Sequence, residues 1–198
     1  TAVDRAHFYP EHALMSLELV AERGSRRVLG LQGVSVMGDA LIGKINTIAA
    51  MLPYKPTVSD VSNAEVAYSP PFAAAMDILN TVANAADNIL AGQNKGIPVT
   101  EFARLWDDAG SNIQVIDCRE NTQGGPLEEK HPGRWHNIPQ GQLRHRLQAV
   151  PKDRPVVLMC NTGARSYEAL VTLTDAGFTQ VVSVEGGMAA VKAAGVDV

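Results

Sequence analysis

The run Pro155-Val156-Val157-Leu158-Met159-Cys160, followed at once by Asn161-Thr162-Gly163-Ala164-Arg165-Ser166, constrains this chain more than any other stretch. Such a short, unbroken apolar segment reads as a strand covered on both faces, as in a parallel sheet. Helical spacing then takes over at 165–176 and stops at Gly177, a favourable residue just past a helix C-terminus. Strand, glycine turn and helix in that order place Cys160 outside the carboxyl end of a buried strand, where open α/β sheets put their ligands.

The chemistry of that turn points two ways. A helix start offers unpaired N–H groups and partial positive charge, and Gly163 lets the backbone curl into a concave nest around a sulfur. Such surroundings lower a thiol pKa from its usual value of about 8.5. Arg165 adds a fixed cation, and Ser166 a hydroxyl within reach of the sulfur or of a substrate oxygen. The alternative is a structural cysteine, buried as a small apolar side chain at a strand end.

Around this segment the second half alternates strands and helices. Strands are expected at 112–117, 135–138 and 180–184, and helices at 100–106 (capped by Thr100), 140–149 and 188–194. That pattern predicts an α/β domain with an open, mostly parallel sheet flanked by helices. The first half is α+β. Strands at 13–21 and 27–37 form a hairpin, with Gly30 and Gly33 marking a bulge or a close backbone approach. Asp39 is placed to cap a helix at 40–52 that Pro53 ends, a short helical turn starts near Thr57, and a second helix covers 76–90. Tyr68-Ser69-Pro70-Pro71-Phe72 is expected to be extended, since proline disfavours helix in the residue before it. The polar, glycine-flanked 92–96 stretch marks the boundary: 1–92, a linker at 93–96, and 97–198.

Composition narrows the function classes. Seventeen basic against 21 acidic residues give −4, with no basic run, so no nucleic-acid surface is expected. Two cysteines, Cys118 and Cys160, make no disulfide framework. No apolar stretch approaches the roughly 20 residues of a membrane span, so no membrane partner is expected. Thr1-Ala2-Val3-Asp4-Arg5 reads as neither a signal peptide nor an initiation site, and the expectation is a soluble, cytoplasmic piece of a longer chain.

Four motifs in the second half carry a resemblance: Ile116-Asp117-Cys118-Arg119-Glu120; His131 with Asn137-Ile138-Pro139 following; Cys160 through Ser166; and Val184-Glu185-Gly186-Gly187-Met188. Residues 97–194 resemble the rhodanese family of sulfurtransferases. The resemblance implies that Cys160 takes sulfane sulfur from thiosulfate or a polysulfide, holds it as a persulfide and passes it to cyanide or a thiol. It also implies that backbone amides of residues 161–165 cradle the persulfide, with Asp117, Arg119 and His131 in support. Asp117 and Arg119 read as an internal ion pair bracing the loop. Related phosphatases on this fold use Cys-x5-Arg, whereas Cys160 to Arg165 is Cys-x4-Arg, a smaller ring better suited to sulfur. The segment 120–135 departs from the family pattern, which leaves the sulfur acceptor open. Cys118 stands where the family commonly has valine; it is either a buried apolar residue or a thiol able to resolve a persulfide.

In the first half, Tyr9-Pro10, Gly30-Leu31-Gln32, Lys44-Ile45-Asn46-Thr47 and Tyr68-Ser69-Pro70-Pro71-Phe72 with Asp77 and Asn80 resemble the dimerisation domain of flavin-dependent pyridine nucleotide–disulfide oxidoreductases. The branch is that of coenzyme A-disulfide reductase and NADH-dependent persulfide reductase, some members of which carry a C-terminal rhodanese domain. For a full-length enzyme this implies FAD, NAD(P)H, possible use of coenzyme A, and a homodimer with Tyr68 and Tyr9 near the partner's flavin-side cysteine. No Gly-x-Gly-x-x-Gly follows a strand here, so no cofactor is expected to bind this piece itself. The alternative function is a catalytically silent docking and dimerisation module.

Overall fold

The computed structural model describes residues 1–198, which divide into two compact units, Thr1–Gln93 and Asn94–Val198. No helix is long and apolar enough to cross a membrane.

In the first unit, strands β1 (Ala2–Val3), β2 (Leu14–Ala21) and β3 (Val28–Ser35) form an antiparallel sheet in that order. The two glycines of β3 do different things. Gly33 faces Leu17, and a Cβ there would lie 2.7 Å from the Ser16 carbonyl oxygen, so the strands approach too closely for any side chain. Gly30 has open space beside it and sits next to a register shift between Val20 and Ala21, a bulge that increases local twist. Helices α1 (Gly38–Met51), α2 (Val58–Ser62) and α3 (Ile78–Leu90) complete the unit, closing a core of Val28, Ile48, Val58, Val61, Leu79 and Ala83.

Local details depart from expectation for identifiable reasons. Met37, not Asp39, precedes α1; Asp39 lies inside the first turn, where its charge favours the helix N-terminus without capping it. Thr57 and Asp60 form a reciprocal capping box on α2. Helix α3 starts later than its apolar pattern, because the Asp77 carboxylate accepts from Leu79 N–H and fixes the boundary. The 68–72 segment is not extended throughout: the Ser69 carbonyl accepts from Phe72 and Ala73, turning the chain over Pro70-Pro71, which have no N–H to leave unpaired.

A buried ion pair and a part-buried asparagine tie this unit together. Lys44 Nζ meets Asp77 Oδ2 at 2.5 Å, and Asn80 donates to the carbonyls of Ser62 and Ala64, both at 3.0 Å. The Lys44, Asp77 and Asn80 motif positions therefore act as internal struts.

The second unit contains strands β4 (Gly96–Ile97), β5 (Gln114–Asp117), β6 (Trp135–Asn137), β7 (Val156–Met159) and β8 (Val181–Val184). Its helices are α4 (Val99–Asp107), α5 (Asn121–Lys130), α6 (Gln140–Leu143), α7 (Ala164–Asp175) and α8 (Gly187–Ala193). All five strands are parallel, in the order β4-β8-β7-β5-β6. Gly96, the last residue of the 93–96 stretch, is already hydrogen-bonded into the sheet edge. Strand residues alternate between two cores. Ile116 and Leu158 pack with Leu143 of α6 and Leu170 and Leu173 of α7; Val115, Val157 and Met159 pack with Phe102 of α4 and Val191 of α8. This is the α/β sheet covered on both faces that the unbroken apolar run requires.

Three helix boundaries differ from the pattern. Pro98, rather than Thr100, precedes α4. The expected 140–149 helix is a four-residue α6 followed by a separate 3-10 turn at Leu147–Ala149, since only Leu143 is fully buried and Gly141 weakens the first turn. Helix α5 had no apolar signature, because Gly124, Gly125 and Pro126 lie inside it.

From β5 the chain goes to β6 on one side and then to β7 on the other. The carboxyl ends of β5 and β7 therefore flank the point where strand order reverses, the crevice in which open α/β sheets hold ligands.

Because Lys44 and Asp77 are both buried, removing one charge strands the other. Lys44→Met should destabilise the first unit by about 3–5 kcal/mol, measured by urea unfolding followed by far-UV circular dichroism. Tryptophan fluorescence should move little, because Trp106 and Trp135 both lie in the second unit.

Candidate active site

Strand β7 ends at Met159 and delivers Cys160 directly into the crevice. The side chain is buried, at 1 % exposure, so a reactant meets the sulfur within the turn and not on open surface. Gly163 adopts φ +115°, a conformation that L side chains rarely take, and this aims its N–H at Cys160 Sγ, 3.1 Å away. Helix α7 starts at the next residue, so the N–H groups of Ala164, Arg165 and Ser166 have no carbonyl one turn earlier to occupy them.

The loop carbonyls are held elsewhere. Met188 N–H donates to Cys160 O at 2.8 Å, and Ala189 N–H to Asn161 O at 2.9 Å. The start of α8 thus draws negative oxygens off the sulfur side. It can come this close only because Gly187 lacks a side chain; a Cβ there would lie 2.4 Å from Cys160 O. The Gly186-Gly187 motif is the back wall of the cysteine loop.

Ser166 is fully buried, with Oγ donating to Gly163 O at 3.0 Å and lying 3.5 Å from Cys160 Sγ. Arg165 is half-buried and forms no ion pair, leaving its charge available beside the loop. Asn161 and Ala164 are exposed at the rim, and Thr162 is half-buried. Of the 160–166 set, the structure places Gly163 and Ser166 against the sulfur, with Asn161, Thr162, Ala164 and Arg165 in the same turn.

The end of β5 forms the neighbouring wall. Asp117 is fully buried and accepts from Arg119 Nε at 2.9 Å, from the Arg119 amide at 3.0 Å and from Trp135 Nε1 at 3.2 Å. Asn137 donates to the carbonyls of Asp117 and Arg119 at 2.8 and 2.9 Å, pinning the turn from the end of β6. Gly124 makes room for this, since a Cβ there would strike Asn137. Asn137, from the Asn137-Ile138-Pro139 motif, and Trp135 are positioning residues: they touch the Asp117 turn and not the sulfur. His136 pairs with Glu128 at 2.5 Å, away from the sulfur's own contacts.

His131 is not brought to the loop. It precedes β6, and so lies at the amino ends of the strands, opposite Cys160; its ring packs edge-on against Trp106 at 5.0 Å between centroids. Its Nε2 is buried without a partner. Burial, and then the Lys130 and Arg134 cations, hold its pKa below the usual 6.5. Cys118 is fully buried; burial pushes its thiol pKa up, helped by Cys160 and Asp117, with Arg165 opposing. Tyr68 and Tyr9 belong to the first unit; Tyr68 is exposed and Tyr9 half-buried.

Residues 99–194 match the Rhodanese-like domain family. Thiosulfate sulfurtransferase GlpE of Shewanella oneidensis is 30% identical over 96 residues, 48% of this chain and 90% of the relative. The probable adenylyltransferase/sulfurtransferase MoeZ of Mycobacterium tuberculosis is 34% identical over 99 residues, 48% of this chain. Two solved structures align over nearly the whole chain. A NAD-dependent persulfide reductase from A. fulgidus has TM-score 0.79, 34% identity and 95% coverage of this chain. The reduced CoADR-RHD of Bacillus anthracis has TM-score 0.78, 29% identity and 94% coverage. The chain spans 24% of MoeZ and 32% of each of those two structures.

Two outcomes follow from the loop and its surroundings. Gly187→Ala should cost about 1–3 kcal/mol by forcing α8 off the cysteine loop, read from tryptophan-detected urea unfolding, while Gly125→Ala, with open space around it, should not. A histidine with a lowered folded pKa takes up its proton more readily when unfolded. Stability of the second unit should therefore fall as pH drops below about 6.5 towards the lower folded value, and His131→Gln should flatten that fall.

Proposed function

The chain belongs to the rhodanese-like family through its second unit, and on that premise we propose that Cys160 carries sulfane sulfur as a persulfide for a larger flavin-dependent reductase. The observation that carries this reading is the Gly163 amide 3.1 Å from Cys160 Sγ, at the switch point of the sheet, with Arg165 unpaired beside it. Amides and a cation arranged in this way suit a sulfur anion better than a neutral buried thiol.

With thiosulfate as donor, the Cys160 thiolate attacks the outer sulfur. A new S–S bond forms, the S–S bond of thiosulfate breaks, and sulfite leaves with the electron pair. The persulfide then lies among the amides of residues 161–165. Arg165 attracts the incoming dianion, and Ser166 holds the ring through Gly163 O. An acceptor thiolate or cyanide attacks the terminal sulfur, and Cys160 leaves as thiolate. Asp117 and Arg119 touch no reacting atom; they hold the β5 turn beside the loop.

The first unit contributes in the same reading as a dimerisation domain in a homodimeric, cytoplasmic enzyme, with Tyr68 and Tyr9 facing the partner's reducing site. The whole-chain likeness to a persulfide reductase and to a CoADR-RHD supports that context. FAD and NAD(P)H would belong to the remainder of such an enzyme, and coenzyme A to its thiol substrates. No strand here runs into a Gly-x-Gly-x-x-Gly turn, so this reading assigns the dinucleotide-binding fingerprints to the remainder of the enzyme. The complete loop at 160–166 favours sulfur transfer over a silent docking module.

The test is intact mass of the purified chain before and after thiosulfate or inorganic polysulfide. A gain of one sulfur atom, mapped to Cys160, removed by cyanide and lost in Cys160→Ser, is the expected result. No adduct with either donor would overturn the reading in favour of docking.

A further inference from the structure

Cys118 lies beside the nucleophile in a way the transfer reaction does not use. Ile116 pairs with Leu158 and Asp117 with Met159 in the parallel ladder of β5 and β7. That last pair is closed by Cys118 N–H, which donates to Met159 O at 2.7 Å. Cys118 and Cys160 are thus the residues that directly follow the last paired positions of two adjacent strands. They also share a face: Ile116, Cys118, Leu158 and Cys160 belong to one core cluster, while Val115, Val157 and Met159 belong to the other. Adjacent strands lie about 4.8 Å apart, inside the Cα separations of roughly 4.4–6.8 Å that a disulfide spans. Both thiols are free and buried.

We propose that Cys118 is a second nucleophile, which discharges the Cys160 persulfide as hydrosulfide and leaves a Cys118–Cys160 disulfide. This rests on the persulfide reading above. The Cys118 sulfur attacks Cys160 Sγ, forming the Sγ–Sγ bond as the bond from Cys160 Sγ to the carried sulfur breaks. The carried sulfur takes that electron pair and the Cys118 proton, leaving as HS⁻. It is reduced from the sulfane to the sulfide level, and the two cysteine sulfurs are oxidised to the disulfide, so no external oxidant or reductant enters. A dithiol, or two thiol molecules, then restores both cysteines by thiol–disulfide exchange, becoming a disulfide itself.

Burial keeps Cys118 protonated in the resting site, so the proton needed by the leaving sulfide is already at hand. The same burial slows its attack, because the thiolate is the better nucleophile. An external acceptor therefore has first claim on the carried sulfur, and internal discharge acts on persulfide that nothing collects. The reaction class at the end of this route is disulfide reduction, whereas direct transfer needs no reductant at the cysteine loop.

The test loads the intact chain, Cys118→Val, Cys118→Ala and Cys160→Ser with limiting inorganic polysulfide under anaerobic conditions. Excess donor is removed, and mass and released sulfide are followed without added thiol. In the original chain, the mass with one extra sulfur should give way to one lighter than the reduced chain by two hydrogens. A cross-linked Cys118–Cys160 peptide and one sulfide per chain should accompany it. Both valine and alanine variants should keep the extra sulfur and release no sulfide; valine preserves the apolar fill, and alanine serves if valine does not fold. Discharge from these variants at the original rate would overturn the proposal, as would a loaded original chain that never forms the cross-link. A cross-link forming equally fast without donor would also overturn it, since the electrons would then have gone elsewhere. If the folded variants acquire no sulfur on Cys160, it is the underlying persulfide reading that fails.

Discussion

The buried carboxylate of Asp117 is the contact on which the second unit's working end depends. An isolated charge in this interior would be prohibitive. Here it is met by the Arg119 guanidinium, the Arg119 amide and the Trp135 indole, while Asn137 holds the carbonyls on either side. Every one of those donors comes from the turn after β5 or from β6. Satisfying one charge therefore fixes the wall of the crevice next to Cys160. A buried pair of this kind need not add net stability over a well-packed apolar substitute. Its effect is directional, because the turn has only one arrangement in which the charge is paired.

The cysteine loop is shaped by a different economy of contacts. Its own sequence supplies the curl, through Gly163, and the helix that follows supplies amides. Its carbonyls, however, are turned aside by Met188 and Ala189, residues of the last helix. The Gly163 N–H faces the sulfur, while the carbonyls of Cys160 and Asn161 are paired with the last helix.

The features legible in the sequence were those that backbone and burial dictate locally. The unbroken apolar run gave β7, the glycine turn gave the loop, and alternating elements gave the parallel sheet. Less legible were features decided by distant partners. Helix α5 contains Gly124, Gly125 and Pro126, so propensity argues against it; Gly124 is there to let Asn137 approach. His131 stood near the site in the one-dimensional order of motifs. A parallel strand separates its two ends, however, and a histidine before β6 must lie at the amino end, against Trp106. The residue that occupies the crevice edge is Asn137, at the other end of the same strand. The 140–149 stretch carried leucines at helical spacing, yet only Leu143 is fully buried, and the helix stops where burial stops.

The clamp of α8 on the cysteine loop has a consequence for how such a chain is made. Residues are synthesised from the amino end, and domains tend to fold as units as they emerge. The strand, the turn and Cys160 appear on the ribosome well before Met188 and Ala189, which draw the loop carbonyls away from the sulfur. Until those later residues arrive, the cysteine has its glycine and its helix but lacks the wall that orients its backbone. The geometry of the cysteine loop is thereby tied to completion of the second unit, so a nascent or prematurely ended chain carries Cys160 in an unfinished ring.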